Sequence, residues 1–243
     1  MPLVDSAFAD PRLAVLYDVA ESERRDLVHY QAIVQELGAQ SVLDIGCGTG
    51  TFACALAEIG IQVVGVDPAA ASLEIARRKP HSETVKWILG DATAMPPLGV
   101  DIAVMTGNVA QIFLTDDEWM ATLRGAHGAL GLGGHLVFEV RDPAHRGWEA
   151  WTENQSRTTL VVPEVGSVEM WVELVEFALP LVSFRWTYQF DDGTNLTSES
   201  TLRFRSRVEI EASLIAAGYV LVAVRDAPDR PGKEFVFIAR RVD

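Results

Sequence analysis

The chain has 243 residues, 49% of them hydrophobic, with 20 Lys and Arg against 34 Asp and Glu, a net charge of −14. That hydrophobic content excludes a disordered chain and is enough for a full core, while the acidity repels phosphate backbones, so no nucleic-acid partner is expected. Two cysteines, Cys47 and Cys54, make neither a disulfide framework nor a four-ligand zinc site; with no apolar run of spanning length and no basic segment in residues 1–10, the expectation is a soluble cytoplasmic protein with no metal, no membrane partner and no signal peptide.

Near the N-terminus, Leu27, Tyr30, Val34 and Leu37 recur at helical spacing, with Ser22 as a cap and Gly38 as a stop. A short strand over 41–45 runs into a glycine loop and a helix predicted over 51–59. A buried strand over 61–66, a helix from about 69 to 79 ended by Pro80, and strands near 85–89 and 101–106 follow. Thr115-Asp116-Asp117-Glu118 is a capping box. It opens a helix with Trp119, Leu123, Ala126 and Leu130 on its apolar face. Gly131, Gly133 and Gly134 are expected to break the chain before a strand over 135–140. Strand and helix in alternation predict a parallel sheet with helices on both faces.

After Pro143 the period becomes two. Val168, Met170, Val172 and Leu174 share one strand face, and Val182, Phe184, Trp186, Tyr188 and Phe190 share another. Asp191-Asp192-Gly193-Thr194 reads as a hairpin turn. These features predict an antiparallel insertion of three or four strands, whose apolar face must be covered by core packing, by a lid contact or by a second copy. A second capping box, Ser206-Arg207-Val208-Glu209, opens a helix with Ile210 and Leu214 inward, and strands near 219–224 and 234–239 close the chain. The organisation expected is a core over 1–149, a cap insertion over 150–206, and a last helix with two core strands over 207–243.

The segment Asp44-Ile45-Gly46-Cys47-Gly48-Thr49-Gly50 takes a strand through three alternate glycines into a helix. Glycine lets backbone approach a ligand, and a helix start favours an anion. The dinucleotide fingerprint is G-x-G-x-x-G; here the third glycine comes one residue early and Thr51 holds the fingerprint position. G-x-G-x-G, with an acid two residues before it, resembles motif I of the class I S-adenosylmethionine-dependent methyltransferases. Asp67 and Asp91, at the ends of the second and third strands, and Thr106-Gly107-Asn108, at the end of the fourth, stand where that family places its later motifs. The layout is similar to small-molecule members, including amino-sugar N-methyltransferases with an antiparallel cap.

The resemblance implies a Rossmann-like doubly wound seven-stranded α/β sheet of order 3-2-1-4-5-7-6. It implies S-adenosylmethionine as cofactor, with S-adenosylhomocysteine as product. It also implies a cofactor site made by Asp44, Gly46, Cys47, Gly48, Gly50, Asp67, Pro68, Asp91, Ala92 and Thr106. Asp44 would meet the ammonium, Asp67 the ribose hydroxyls, and Asp91 with Ala92 the adenine. Cys47 is expected as a small loop residue and Cys54 as core.

The expected acceptor is a small molecule with an oxygen or nitrogen nucleophile. No Asn/Asp-Pro-Pro-Tyr/Phe motif follows the fourth strand, and no Pro-Cys pair or metal-ligand set is present. Tyr17, paired in sequence with Asp18, Asn108, Gln111 and His145 are the candidates near the reacting groups, and Tyr17, Arg141 and Trp186 are those for substrate. Gln111 stands where some sugar N-methyltransferases have a His. Two rival functions share these features: a nicotinamide-dependent oxidoreductase, and a cofactor-binding protein without turnover. A homodimer through the cap is a further expectation.

Overall fold

The computed structural model describes residues 4–20, 24–163 and 165–243. Three helices lead the chain: α1 (Ser6–Ala9), α2 (Pro11–Ala20) and α3 (Arg25–Glu36). Leu27, Tyr30, Ile33 and Val34 of α3 are buried, at the spacing that puts them on one face. The expected cap, Ser22, lies outside the described residues.

Strand and helix then alternate: β1 (Ser41–Ile45), α4 (Thr51–Glu58), β2 (Gln62–Asp67), α5 (Ala70–Ala76), β3 (Lys86–Leu89), β4 (Val100–Met105), α6 (Asp116–Ala129) and β5 (Leu130–Arg141). After the cap come α8 (Arg207–Ala216), β10 (Tyr219–Asp226) and β11 (Glu234–Arg241). Both capping boxes form, at Thr115/Glu118 and Ser206/Glu209. The sheet order is β3-β2-β1-β4-β5-β11-β10. β1 to β5 pair in parallel, and β11 runs antiparallel to both β5 and β10. This is the order expected from the sequence, with β10 and β11 as its sixth and seventh strands.

One boundary differs. β5 begins at Leu130, before the glycines expected to break it. Leu130 pairs with Val100 and His135 with Ile102, so residues 131–134 bulge out of a ladder that continues on either side. The glycine signal marks a bulge rather than a loop.

Neighbouring strand residues serve opposite layers, as the pleat requires. Val42, Val104 and Val137 pack under Tyr30, Ile33 and Val34 of α3 and Phe52 and Leu56 of α4. Leu43, Met105 and Phe138 pack under Trp119 and Leu123 of α6 and Ile210 and Leu214 of α8. Each fully buried side chain of this size contributes about 1.5–3 kcal/mol.

The cap holds α7 (Glu153–Ser156) and four antiparallel strands in chain order: β6 (Thr158–Val162), β7 (Gly166–Ala178), β8 (Leu181–Phe190) and β9 (Asn195–Arg203). The two apolar faces read from the sequence meet residue for residue: Val168 opposes Phe190, Met170 opposes Tyr188, Val172 opposes Trp186 and Leu174 opposes Phe184. Leu13 and Leu16 of α2 cover one end of that face, and Trp148 and Phe204 cover the other. The chain itself thus covers that face in part: Val168, Met170, Val172 and Tyr188 are buried, Phe184, Trp186 and Phe190 are half-buried, and Leu174 stays exposed. Among the described residues, no helix is long and apolar enough to cross a membrane.

Candidate active site

The C-terminal ends of the parallel strands open onto two cavities of about 540 and 320 Å³. They meet at Gly46, Pro68, Val109, Ile112 and Glu118, which line both. Doubly wound sheets leave such a crevice where neighbouring crossovers diverge to opposite faces, here between β1 and β4.

The glycine loop follows β1 and is pinned to β2: the Gly46 and Cys47 N–H groups donate to the Val66 carbonyl at 2.8 and 3.2 Å. Its glycines have different tasks. A Cβ on Gly46 would lie 2.6 Å from Val109 Cγ2, and one on Gly50 would lie 2.6 Å from the Trp87 ring. Those two admit neighbours of the same chain. Gly48, with φ +53°, faces open space within 4 Å and lines the larger cavity. Gly50 does not line either cavity, because Trp87 and Ala76 fill its approach.

Asp44, on β1, is 1% exposed and lines the larger cavity, yet among the described residues neither carboxylate oxygen has a hydrogen-bond partner. Burial pushes its pKa up to about 7, against the pull of Arg24, with Asp67 and Glu139 adding to the rise. Asp67, at the end of β2, is held by two backbone donors: Gly48 N–H to Oδ2 and Ala69 N–H to Oδ1, each at 2.8 Å. Burial still raises its pKa. Cys47 lines the larger cavity, and burial raises its thiol well above the ordinary value, so it is not poised as a thiolate. Cys54 is buried on α4.

Pro68 lines both cavities, Asp91 and Ala92 line the smaller one, and Thr106 lines the larger. Asp91 caps the short turn after β3, accepting from the Thr93 N–H at 2.8 Å and from the Thr93 hydroxyl. Tyr17 also lines the larger cavity; the side chain of Asp18 lies outside what is described. The Tyr17 hydroxyl accepts from Arg24 Nη1 at 3.4 Å, and a Cβ on Gly107 would lie 3.9 Å from both groups. Asp26 fixes Arg24 at 2.7 Å. Tyr17 and Arg24 thus arch over the end of β4.

Five other candidates are not brought to the cavities. Asn108, at φ +63°, is buried under the floor; its N–H donates to Glu139 Oε1 at 2.5 Å and its Nδ2 to Glu234 Oε1 at 3.3 Å. Gln111 is buried, with Oε1 accepting from the Arg141 backbone and guanidinium at 3.3 and 3.2 Å. Arg141 is therefore turned towards Gln111 and Glu234 rather than towards an acceptor. His145 is exposed in the turn 143–145. Trp186 packs with the cap's apolar face on α2.

Sequence reasoning missed Arg24, Glu139 and the cap residues Ser183, Glu199 and Thr201, of which all but Glu139 line the larger cavity. Glu139 had a signal, an acid inside an apolar strand run. Burial pushes its pKa up to about 7 despite Tyr30 and the Asn108 N–H beside it.

Residues 42–134 match the family described as a methyltransferase domain. The chain is 31% identical over 144 residues to a cypemycin N-terminal methyltransferase from Streptomyces sp, covering 58% of this chain and 59% of that protein. It thus spans about six-tenths of that relative's length, and 52% of an uncharacterized methyltransferase from Oceanobacillus iheyensis. Among solved structures, a sugar N-methyltransferase from Streptoalloteichus sp superposes with a TM-score of 0.79 at 18% identity, covering 100% of this chain and 97% of that one. An S-adenosylmethionine-dependent methyltransferase from Clostridium acetobutylicum does so with a TM-score of 0.75 at 16% identity, covering 96% and 98%. Residues 42–134 are thus similar to a methyltransferase domain, and the chain as a whole carries the class I methyltransferase fold.

Proposed function

We propose that this chain binds S-adenosylmethionine across the two cavities and transfers its methyl group to an oxygen or nitrogen nucleophile of a small molecule. The observation that carries this reading is Asp44, a buried carboxylate in the cavity wall whose two oxygens have no hydrogen-bond partner among the described residues. Such a group is costly unless a cation meets it, and the cofactor's ammonium is that cation. The other donors fit as well. Gly48 leaves room for the amino-acid end, Asp67 keeps lone pairs free for ribose hydroxyls, and Asp91 with Ala92 suits the adenine edge in the smaller cavity.

Bound, S-adenosylmethionine supplies a methyl group already activated by its sulfonium, so alignment matters more than acid–base help. Thr106 and Gly107 form the floor on which the reacting groups would meet. Tyr17 and Arg24 close over that floor and exclude water. Ser183, Glu199 and Thr201 offer hydroxyl and carboxylate partners to the acceptor from the cap. In this reading residues 1–149 and 207–243 are the cofactor-binding core and residues 150–206 the substrate cap. The names of two similar proteins, a cypemycin N-terminal methyltransferase and a sugar N-methyltransferase, support an amine nitrogen as the acceptor.

Calorimetric titration with S-adenosylhomocysteine, and separately with NADH, tests the cofactor. Binding of the first and not the second supports the proposal; the reverse makes the chain a nicotinamide enzyme. Release of S-adenosylhomocysteine from S-adenosylmethionine in the presence of a panel of amines and alcohols then separates a catalyst from a binding protein on the same fold.

A further inference from the structure

The exit of the cap alternates in sidedness, as extended chain does. Phe204 packs edge-on against Trp148, ring centres 4.7 Å apart. Arg203 and Arg205 turn the other way, towards residues 113–116, the lead-in to α6. There they capture three consecutive backbone carbonyls. Arg205 Nη1 donates to Phe113 O at 2.9 Å, Arg203 Nη1 to Leu114 O at 2.9 Å, and Arg205 Nη2 to Thr115 O at 3.0 Å. Both guanidinium groups also reach Asp116 Oδ1, at 2.9 and 3.5 Å. Arg205 lies 5.4 Å over the Trp119 ring, and Gln111 Nε2 donates back to the Arg203 carbonyl at 3.5 Å.

The captured segment is a wall of both cavities. Leu114 lines the larger and Phe113 the smaller, while Ile112 and Glu118 on either side line both. Neither arginine lines either one. Phe113 and Leu114 stand outside any helix or strand, so their carbonyls need partners from elsewhere. A planar guanidinium can hold two carbonyls at once in fixed geometry, which an ammonium cannot.

We propose that Arg203 and Arg205 are positioning residues for the cofactor: the exit strand of the cap sets the place of the 112–118 wall. The proposal rests on the reading that these cavities hold S-adenosylmethionine. It makes cap and cofactor site one mechanical unit, with a distant cap residue governing cofactor affinity.

The test uses the full-length protein with S-adenosylhomocysteine as the probe. Arg203 is the residue to vary, because Arg205 is buried against Trp119 and its loss endangers folding. Arg203→Met keeps the aliphatic stem and is expected to bind about tenfold more weakly by calorimetry, in line with one lost charge-assisted hydrogen bond. Hydrogen exchange of amides 112–118 is expected to quicken in the same variant. Arg203→Lys, which keeps a cationic donor beside the Leu114 carbonyl and Asp116, is expected to recover part of the affinity. Arg203→Met with affinity within about twofold of wild type, with unchanged exchange in 112–118, or with no recovery in Arg203→Lys overturns the proposal. Wild-type protein that fails to bind S-adenosylhomocysteine overturns the cofactor reading as well; wild-type binding with an unaffected Arg203→Met overturns this proposal alone.

Discussion

On the strand-end side of the larger cavity, Asp44 and Asp67 are 1% and 8% exposed, and the loop between them is pinned by backbone hydrogen bonds. On the cap side, Ser183 and Thr201 are half-buried and bond each other at 2.8 Å, and Glu199 is exposed in an ion pair with Arg185. The first wall is built from groups whose positions the sheet dictates, and changing Asp67 removes two backbone hydrogen bonds. The second is built from side chains on an antiparallel surface, where the identity of a residue changes without moving the strand. A fixed cofactor beside a variable acceptor asks for that division.

The sharpest way to break the comparison is Asp44→Ala. It is expected to weaken binding of S-adenosylmethionine about a hundredfold by calorimetry. The urea midpoint is expected to hold or rise, since the variant removes an unpartnered buried carboxyl. Normal binding would show that Asp44 is only a structural burden. Asp67→Ala is expected to cost several-fold to a hundredfold in the same titration. It should also lower stability by about 1–3 kcal/mol, because the Gly48 and Ala69 N–H groups lose their acceptor.

Next in size is pH dependence. Asp44 and Glu139 move from ordinary values of 3.8 and 4.5 to about 7 on folding. Their contribution to the stability of the ligand-free protein is fully present below about pH 4 and is lost as pH rises through about 7. Cofactor binding runs the other way: the ammonium favours ionised Asp44, so affinity rises several-fold between about pH 6 and pH 8, with a proton released. Calorimetry in two buffers of different ionisation enthalpy counts that proton, and Asp44→Asn abolishes its release. The smallest effect belongs to the cap. Ser183→Ala and Thr201→Ala are expected to leave S-adenosylhomocysteine affinity within about twofold, while shifting KM for whichever acceptor the panel identifies.

The fold was largely legible because its signals are local. Two capping boxes, the strand-end acids and the period-two cap can all be read within a dozen residues. What failed was partnership. The alternation of Phe184, Trp186 and Tyr188 states that one face is buried, and no pattern in it names Leu13 and Leu16 as the cover. Gly50 looked like room for a ligand and is room for Trp87. Asn108, Gln111 and Arg141 sit at the right strand ends, but Asn108 is held by Glu139 and Glu234, and Gln111 and Arg141 bond each other away from the cavities. Arg24 reaches the cavity only because α3 packs where it does. Side-chain direction at a strand end is set by long-range packing, and a motif's spacing does not contain it.

The packing of Leu13 and Leu16 under β7 and β8 also bears on how the protein is made. These residues leave the ribosome before the strands that cover them, which come about 150 residues later in the chain. At about 5–20 residues per second, that is an interval of roughly ten to thirty seconds. Through that interval the N-terminal helices have no cap to close on. The nascent chain can complete β1 to β4 with their helices, while the roof over the cavity waits for β7 and β8.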